Sequence, residues 1–113
     1  MPELESSIQK KILAYLKTLP HTWAIKTIQT NRKGVPDIIC CIKGKFVAFE
    51  VKNAKGKLSP HQIHEGKSII GSGGAWYVVR SLDEVKTILE NIGYNGIKLV
   101  SGEDTELLQK KID

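Results

Sequence analysis

Two short apolar runs, residues 38–42 (Ile-Ile-Cys-Cys-Ile) and 46–51 (Phe-Val-Ala-Phe-Glu-Val), are separated only by Lys43-Gly44-Lys45, and this spacing constrains the chain more than any other feature. A crossover between parallel strands needs about a dozen residues or more, so so short a gap permits only an antiparallel hairpin. Each run has the length of a strand and lacks the length and period of a helix. The pair is therefore expected to form the central strands of a sheet. Residues 38–42, an unbroken apolar stretch as long as any in the chain, fall far short of the roughly 20 residues that a membrane-spanning helix requires. No such span is expected.

The flanking sequence supplies the other layers. Within residues 3–18, Ile8, Ile12, Tyr15 and Leu16 recur at the i, i+4, i+7, i+8 spacing of a helix with one buried face, ending near Pro20. Residues 23–28 alternate Trp23, Ile25 and Thr27 against Ala24, Lys26 and Ile28, as a half-exposed strand would, and residues 29–34 form a polar turn. Gly56 breaks the second apolar run. Ser59-Pro60 then places a capping side chain before a proline at the first helical position, which predicts a second helix to about Ile70. Gly71-Ser72-Gly73-Gly74 ends that helix, and residues 75–79 read as a short strand. Ser81 and Glu84 have capping-box spacing, with Val85, Ile88, Leu89 and Ile92 as the stripe of a third helix closed by Gly93. Residues 97–100 are expected to add an edge strand, and residues 101–113 are polar and weakly helical.

The order αβββαβα predicts an α/β fold, a mixed sheet with helices on its faces. A chain of 113 residues accommodates one domain, with a core over about residues 3–93 and an extension over about 94–113. Its 41% hydrophobic and 26% charged residues exclude the disordered class. Cys40 and Cys41 are adjacent, and a strand points them to opposite faces, so two free thiols are expected in place of a disulfide or zinc site. The first residues have neither the basic start nor the apolar middle of a secretory signal, which suggests a cytoplasmic protein.

Charges placed where the strand pattern asks for apolar groups are the first chemical clue. Phe46, Ala48, Glu50 and Lys52 share one strand face, so Glu50 and Lys52 continue an apolar row. If Ile42 pairs with Lys45 across a two-residue turn, Asp37 falls directly opposite Glu50; a four-residue turn sets it opposite Lys52, and a three-residue turn moves it to the other face. Two carboxylates held that close repel unless a cation or proton lies between them. Oxygen ligands favour Mg2+ or Mn2+ over zinc, and a lysine beside such an ion can support an attacking water or offset charge on a phosphate. These are the parts for metal-assisted hydrolysis of a phosphodiester. The plainer reading is a pair of strand-end charges, with Glu50 and Lys52 forming a modest surface pair.

Gly34-Val35-Pro36-Asp37, twelve residues, and then Glu50-Val51-Lys52 resemble the PD-(D/E)XK nuclease signature. The surrounding sequence resembles the virus-type replication-repair nucleases (VRR-Nuc). That resemblance runs from Glu5-Ser6-Ser7-Ile8-Gln9 through the Asp37 turn and Phe49-Glu50-Val51-Lys52 to Leu58-Ser59-Pro60-His61-Gln62. It continues into residues 75–79 and Ser81-Leu82-Asp83-Glu84, covering roughly residues 3–90. It implies a mixed sheet flanked by helices and a metal-dependent nuclease site. Asp37 and Glu50 would hold the metal with the carbonyl of Val51, and Lys52 would assist the water. Glu5 would reach the metal directly or through water; alternatively it begins its helix and favours the positive end. Gln62 is an active-site residue by the resemblance and the third residue of a capping box with Ser59 by spacing.

Lysine and arginine outnumber acidic residues 17 to 12, a formal charge of +5 that favours a polyanionic partner. Arg32, Lys33, Lys43, Lys45, Lys55 and Lys57 stand in loops expected to flank the site and to hold backbone phosphates without reading bases. His61 and His64 are three apart and His21 is isolated, too few for a histidine metal site, so they are read as facing solvent or DNA. The glycine-rich stretch 71–74 lacks the Lys-Ser/Thr of a phosphate-binding loop.

Together these imply a Mg2+- or Mn2+-dependent DNA endonuclease, structure-specific and resembling Holliday junction resolvases, acting on branched DNA. A resolvase needs two sites related by two-fold symmetry, hence a homodimer, for which residues 76–77, the third helix and residues 97–100 are candidate contacts. The rival readings are a basic nucleic-acid-binding module without catalysis and a general or restriction-type nuclease.

Overall fold

The computed structural model describes residues 2–91. It contains α1 (Glu5–Thr18), β1 (Thr22–Lys26), β2 (Ile38–Ile42), β3 (Lys45–Val51), α2 (Pro60–Gly71), β4 (Ala75–Val79) and α3 (Leu82–Asn91). The strands of these residues form one mixed sheet in the order β1-β2-β3-β4, with β1, β2 and β3 antiparallel and β4 parallel to β3. Ile92, Gly93, the strand expected over 97–100 and the tail over 101–113 lie outside the described residues.

The β2–β3 hairpin sets the register of everything near the site. Ile42 pairs with Lys45, and the two residues between them, Lys43 (φ 53°) and Gly44 (φ 84°), both adopt the left-handed conformation of a two-residue type I′ turn. With that parity fixed, Ile38, Cys40, Ile42, Val47, Phe49 and Val51 face one way and are buried against Ile8, Ile12 and Leu16 of α1 and Val85 and Leu89 of α3. Burial pushes the Cys40 thiol from its ordinary 9.0 up to about 12, with neighbouring Cys41 adding to the shift; both cysteines are free.

The opposite sheet face carries Ala48 and Glu50 and meets α2. Ser59 caps α2 by accepting the Gln62 backbone N–H at 3.2 Å, while Gln62 Oε1 accepts the Ser59 N–H at 2.9 Å, the reciprocal box that the spacing predicts. At α3 only half of the expected box forms. Ser81 Oγ accepts the Glu84 N–H at 3.1 Å, but Glu84 Oε1 reaches past Ser81 to the N–H of Arg80 at 2.5 Å.

Two further expectations shift. Strand β1 ends at Lys26, two residues early, although Thr27 still meets Asp37 in register, its N–H donating to the Asp37 carbonyl at 2.8 Å and its hydroxyl to the Pro36 carbonyl at 2.7 Å. The 76–77 segment is not an open apolar patch: Trp76 packs on Gly66 of α2, and Tyr77 stacks on Phe49 with ring centres 5.9 Å apart. The exposed apolar side chains gather instead toward the β1 edge, where Trp23 (57% exposed), Cys41 and Phe46 are register partners on one open row and Ile25 lies beside them. No helix of the described residues is long and apolar enough to cross a membrane.

Candidate active site

The register places the site at the open end of the hairpin. Ile38 pairs with Phe49, so the next step outward sets Asp37 against Glu50. Asp37 is held in place by the chain itself: its Oδ2 accepts the Val51 N–H at 2.8 Å. Glu50 lies only 1% exposed on the face toward α2. Burial, then a hydrogen bond and like charge from Asp37, push its carboxyl from the ordinary 4.5 up to about 9; Lys52 opposes this and Glu5 adds to it. One Glu50 oxygen, Oε2, accepts from Gln62 Nε2 at 3.1 Å, whereas the buried Oε1 receives no donor from the chain.

Gln62 thus forms the cap that its spacing predicts, and its side-chain nitrogen also donates to Glu50. Gly34 explains how the Asp37 turn meets that helix. Its φ of 90° suits glycine, and a Cβ there would lie 2.4 Å from the carbonyl carbon and oxygen of His61. The turn thus presses directly on the first residues of α2, and no side chain fits between them.

Glu5, the first residue of α1, reaches the site from the other layer, its Oε2 accepting the Asn53 N–H at 3.2 Å. Lys52 is 9% exposed, and its N–H donates to the Val79 carbonyl at 2.9 Å, which ties the end of β3 to β4. Glu5, Asp37 and Lys52 thereby all act on Glu50 at one end of the sheet.

The expected basic surround divides. Lys33, Lys55 and Lys57 are exposed in loops at the site end, and Arg32 is there too but pairs with Glu65 of α2 at 2.9 Å. Lys43 and Lys45 do not flank the site. They belong to the hairpin turn at the opposite end of β2 and β3, roughly 17 Å away at about 3.4 Å per strand residue. Lys45 is nearly buried there, its ammonium donating to the Gly73 carbonyl. His21, His61 and His64 are exposed and apart from the carboxylates. Among the described residues no group of three or more His, Cys, Asp or Glu side chains is placed to hold a metal ion. A cation here would rest on two carboxylates with backbone or water oxygens. The donor set fits a hard divalent cation: two opposed carboxyls, one kept protonated by burial, and a buried oxygen that receives no donor from the chain.

A solved structure described as a VRR_NUC domain shares this fold, with a TM-score of 0.66 and 27% sequence identity over 76% of this chain and 94% of that one. The chain is built like a VRR_NUC domain. No protein-family model and no curated protein matches it. The structural likeness supports the VRR-Nuc resemblance carried by the motifs, and with it a nuclease of the PD-(D/E)XK type. On this VRR-Nuc framework, sequence reasoning missed Asn53 and Arg80, which meet in the loop after Lys52. Arg80 gave no signal because it directly follows a strand, where a lone arginine reads as a solvated charge.

Proposed function

We propose that the protein is a divalent-metal-dependent DNA endonuclease that hydrolyses phosphodiester bonds. The observation that carries this reading is the buried Glu50 set against the half-buried Asp37, with the Glu50 carboxyl pushed up to about 9 and its Oε1 receiving no donor from the chain. Asp37 and Glu50, with the Val51 carbonyl and with Glu5 through water, would hold Mg2+ or Mn2+. When bound, such an ion polarises the phosphate and makes a neighbouring water more acidic.

The chain's own residues do the rest. Gln62 fixes one Glu50 oxygen and leaves the other for the ligand side. The Lys52 ammonium offsets charge developing on the phosphate and orients the water. Lys33, Lys55 and Lys57, with Arg32 beside them, would hold flanking phosphates in register without reading bases. Lys43 and Lys45 have no part in this.

The preferred substrate in this reading is branched DNA, cut by a two-fold homodimer in the manner of a Holliday junction resolvase. The exposed Trp23 and Ile25 on edge strand β1 support a second copy as the partner, since an open apolar edge is a natural pairing surface. Purified protein incubated with single-stranded, duplex, flap and four-way-junction DNA should cut the junction best with Mg2+ or Mn2+, stop in EDTA and stay inactive with Ca2+. Cleavage in EDTA rejects the mechanism, and preference for linear duplex rejects the resolvase reading. Binding without cleavage under every metal condition favours a non-catalytic DNA-binding module.

A further inference from the structure

The chain leaves β3 and β4 side by side. Val51 pairs with Val79, and the Lys52 N–H donates to the Val79 carbonyl, so Lys52 and Arg80 are neighbours at the sheet end. Beyond Lys52 the backbone turns at once. Asn53 Oδ1 accepts the N–H of Lys55 at 3.0 Å and of Gly56 at 2.8 Å, and the Gly56 N–H also donates to the Asn53 carbonyl at 3.2 Å. Arg80 Nη1 donates to the carbonyls of Asn53 at 2.5 Å and Gly56 at 2.9 Å, which are the two ends of that turn. Among the described residues no carboxylate forms an ion pair with this guanidinium.

The other side of the turn touches the site. The Asn53 N–H donates to Glu5 Oε2, and a Cβ on Gly56 would lie 2.5 Å from that oxygen and 3.2 Å from Lys52 Cδ. The turn is thus a wedge, gripped by Arg80 on one side and seated on Glu5 and Lys52 on the other. We infer that Arg80 is a positioning residue of the active site: by closing the 53–56 turn it sets Glu5 and Lys52 against the Asp37–Glu50 pair. Both of its bonds leave the single nitrogen Nη1, so lysine, whose ammonium also carries several donors, can reproduce the clamp in part.

The proposal rests on the nuclease reading, so its test separates the two. Amide hydrogen exchange on Arg80→Ala reads the clamp without cleavage, and single-turnover cleavage with DNA binding in EDTA reads its role. Exchange should speed up at Asn53 and Gly56 and stay unchanged in β2 and β3. The cleavage rate should fall on the order of 10–100-fold, as expected for small misplacement of reacting groups, with DNA affinity within about twofold. Millimolar guanidinium should restore part of the rate, and Arg80→Lys should lie between. Gly56→Ala, which displaces Glu5 and Lys52 directly, should lose rate similarly without gaining from guanidinium.

Faster exchange with a wild-type cleavage rate overturns the positioning role and leaves the nuclease standing. Lost rate with global unfolding in Arg80→Ala, and unimpaired cleavage by a folded Gly56→Ala, also overturns it. A wild-type protein that cuts no DNA removes the nuclease reading and this role with it, whatever the exchange shows.

Discussion

The two ends of the β2–β3 hairpin are built from the same two strands, and each buries a charged residue, yet they treat that charge in opposite ways. At the turn end, Lys45 is nearly as buried as Glu50, but its ammonium extends to a backbone carbonyl in the loop before β4. At the open end, Glu50 is forced beside a second carboxyl and one of its oxygens receives no donor. A buried polar group normally finds its partner within the fold, because leaving it unmade costs about 1–3 kcal/mol. The turn end satisfies its buried charge within the fold, and the open end leaves a buried carboxyl oxygen with no donor from the chain.

Exchanging each buried charge for a near-isostere should show the largest contrast. Glu50→Gln should lower the cleavage rate by at least about 100-fold, the scale of a lost catalytic group, while leaving the melting temperature unchanged or raised because it removes a poorly compensated acid. Lys45→Met should do the reverse, with full cleavage and a loss of roughly 1 kcal/mol as the Gly73 carbonyl loses its donor. Asp37→Ala and Lys52→Ala belong with Glu50→Gln. Cleavage assays beside thermal melts decide the matter, and a Glu50→Gln protein that cuts normally ends the comparison.

The same contrast explains what could be read from sequence. The turn end was legible as a hairpin, but the sequence left its turn length open; the two-residue turn at Lys43-Gly44 is what fixes the parity that brings Asp37 and Glu50 together. Ser59 and Gln62 were legible as a cap because capping is local. Lys43 and Lys45 stand away from Glu50 because closeness in sequence is not closeness in space where a strand carries its two ends apart. Gly34 was seen as part of a motif, but its reason, contact with His61 on a helix 27 positions later, is a packing fact with no local signature. Arg80 was invisible for the same reason, since its partners lie 24 and 27 residues before it.

A smaller effect follows from the raised carboxyl. Glu50 titrates near 4.5 when unfolded and at about 9 when folded, so the folded state holds the proton more tightly. Its contribution to stability is complete below about pH 4.5, declines as pH rises, and is gone above about pH 9. Metal-free wild type should therefore lose melting temperature against Glu50→Gln across that window, by at most several degrees per pH unit. Mg2+ or Mn2+ should narrow the gap, most strongly at high pH where no proton competes. Parallel melting curves for the two proteins would remove the buried-acid account of the open end.

The smallest effect concerns lysines that differ only in the end they occupy. Lys55 and Lys57 stand in the loop beside the site, and Lys43 and Lys45 in the hairpin turn about five strand residues away. Each phosphate contact contributes about 0.9 to the slope of log affinity against log salt, so losing two lowers that slope by up to about two and weakens binding several-fold at moderate salt. Lys55→Ala with Lys57→Ala should show this for every DNA tested, because phosphate contacts carry no sequence information. Lys43→Ala with Lys45→Met should leave the slope unchanged. Binding titrations over a salt series in EDTA keep cleavage out of the measurement. If the turn-end pair lowers the slope as much as the site-end pair, DNA runs the length of the hairpin, and the division into a structural end and a substrate end fails for binding even where it holds for catalysis.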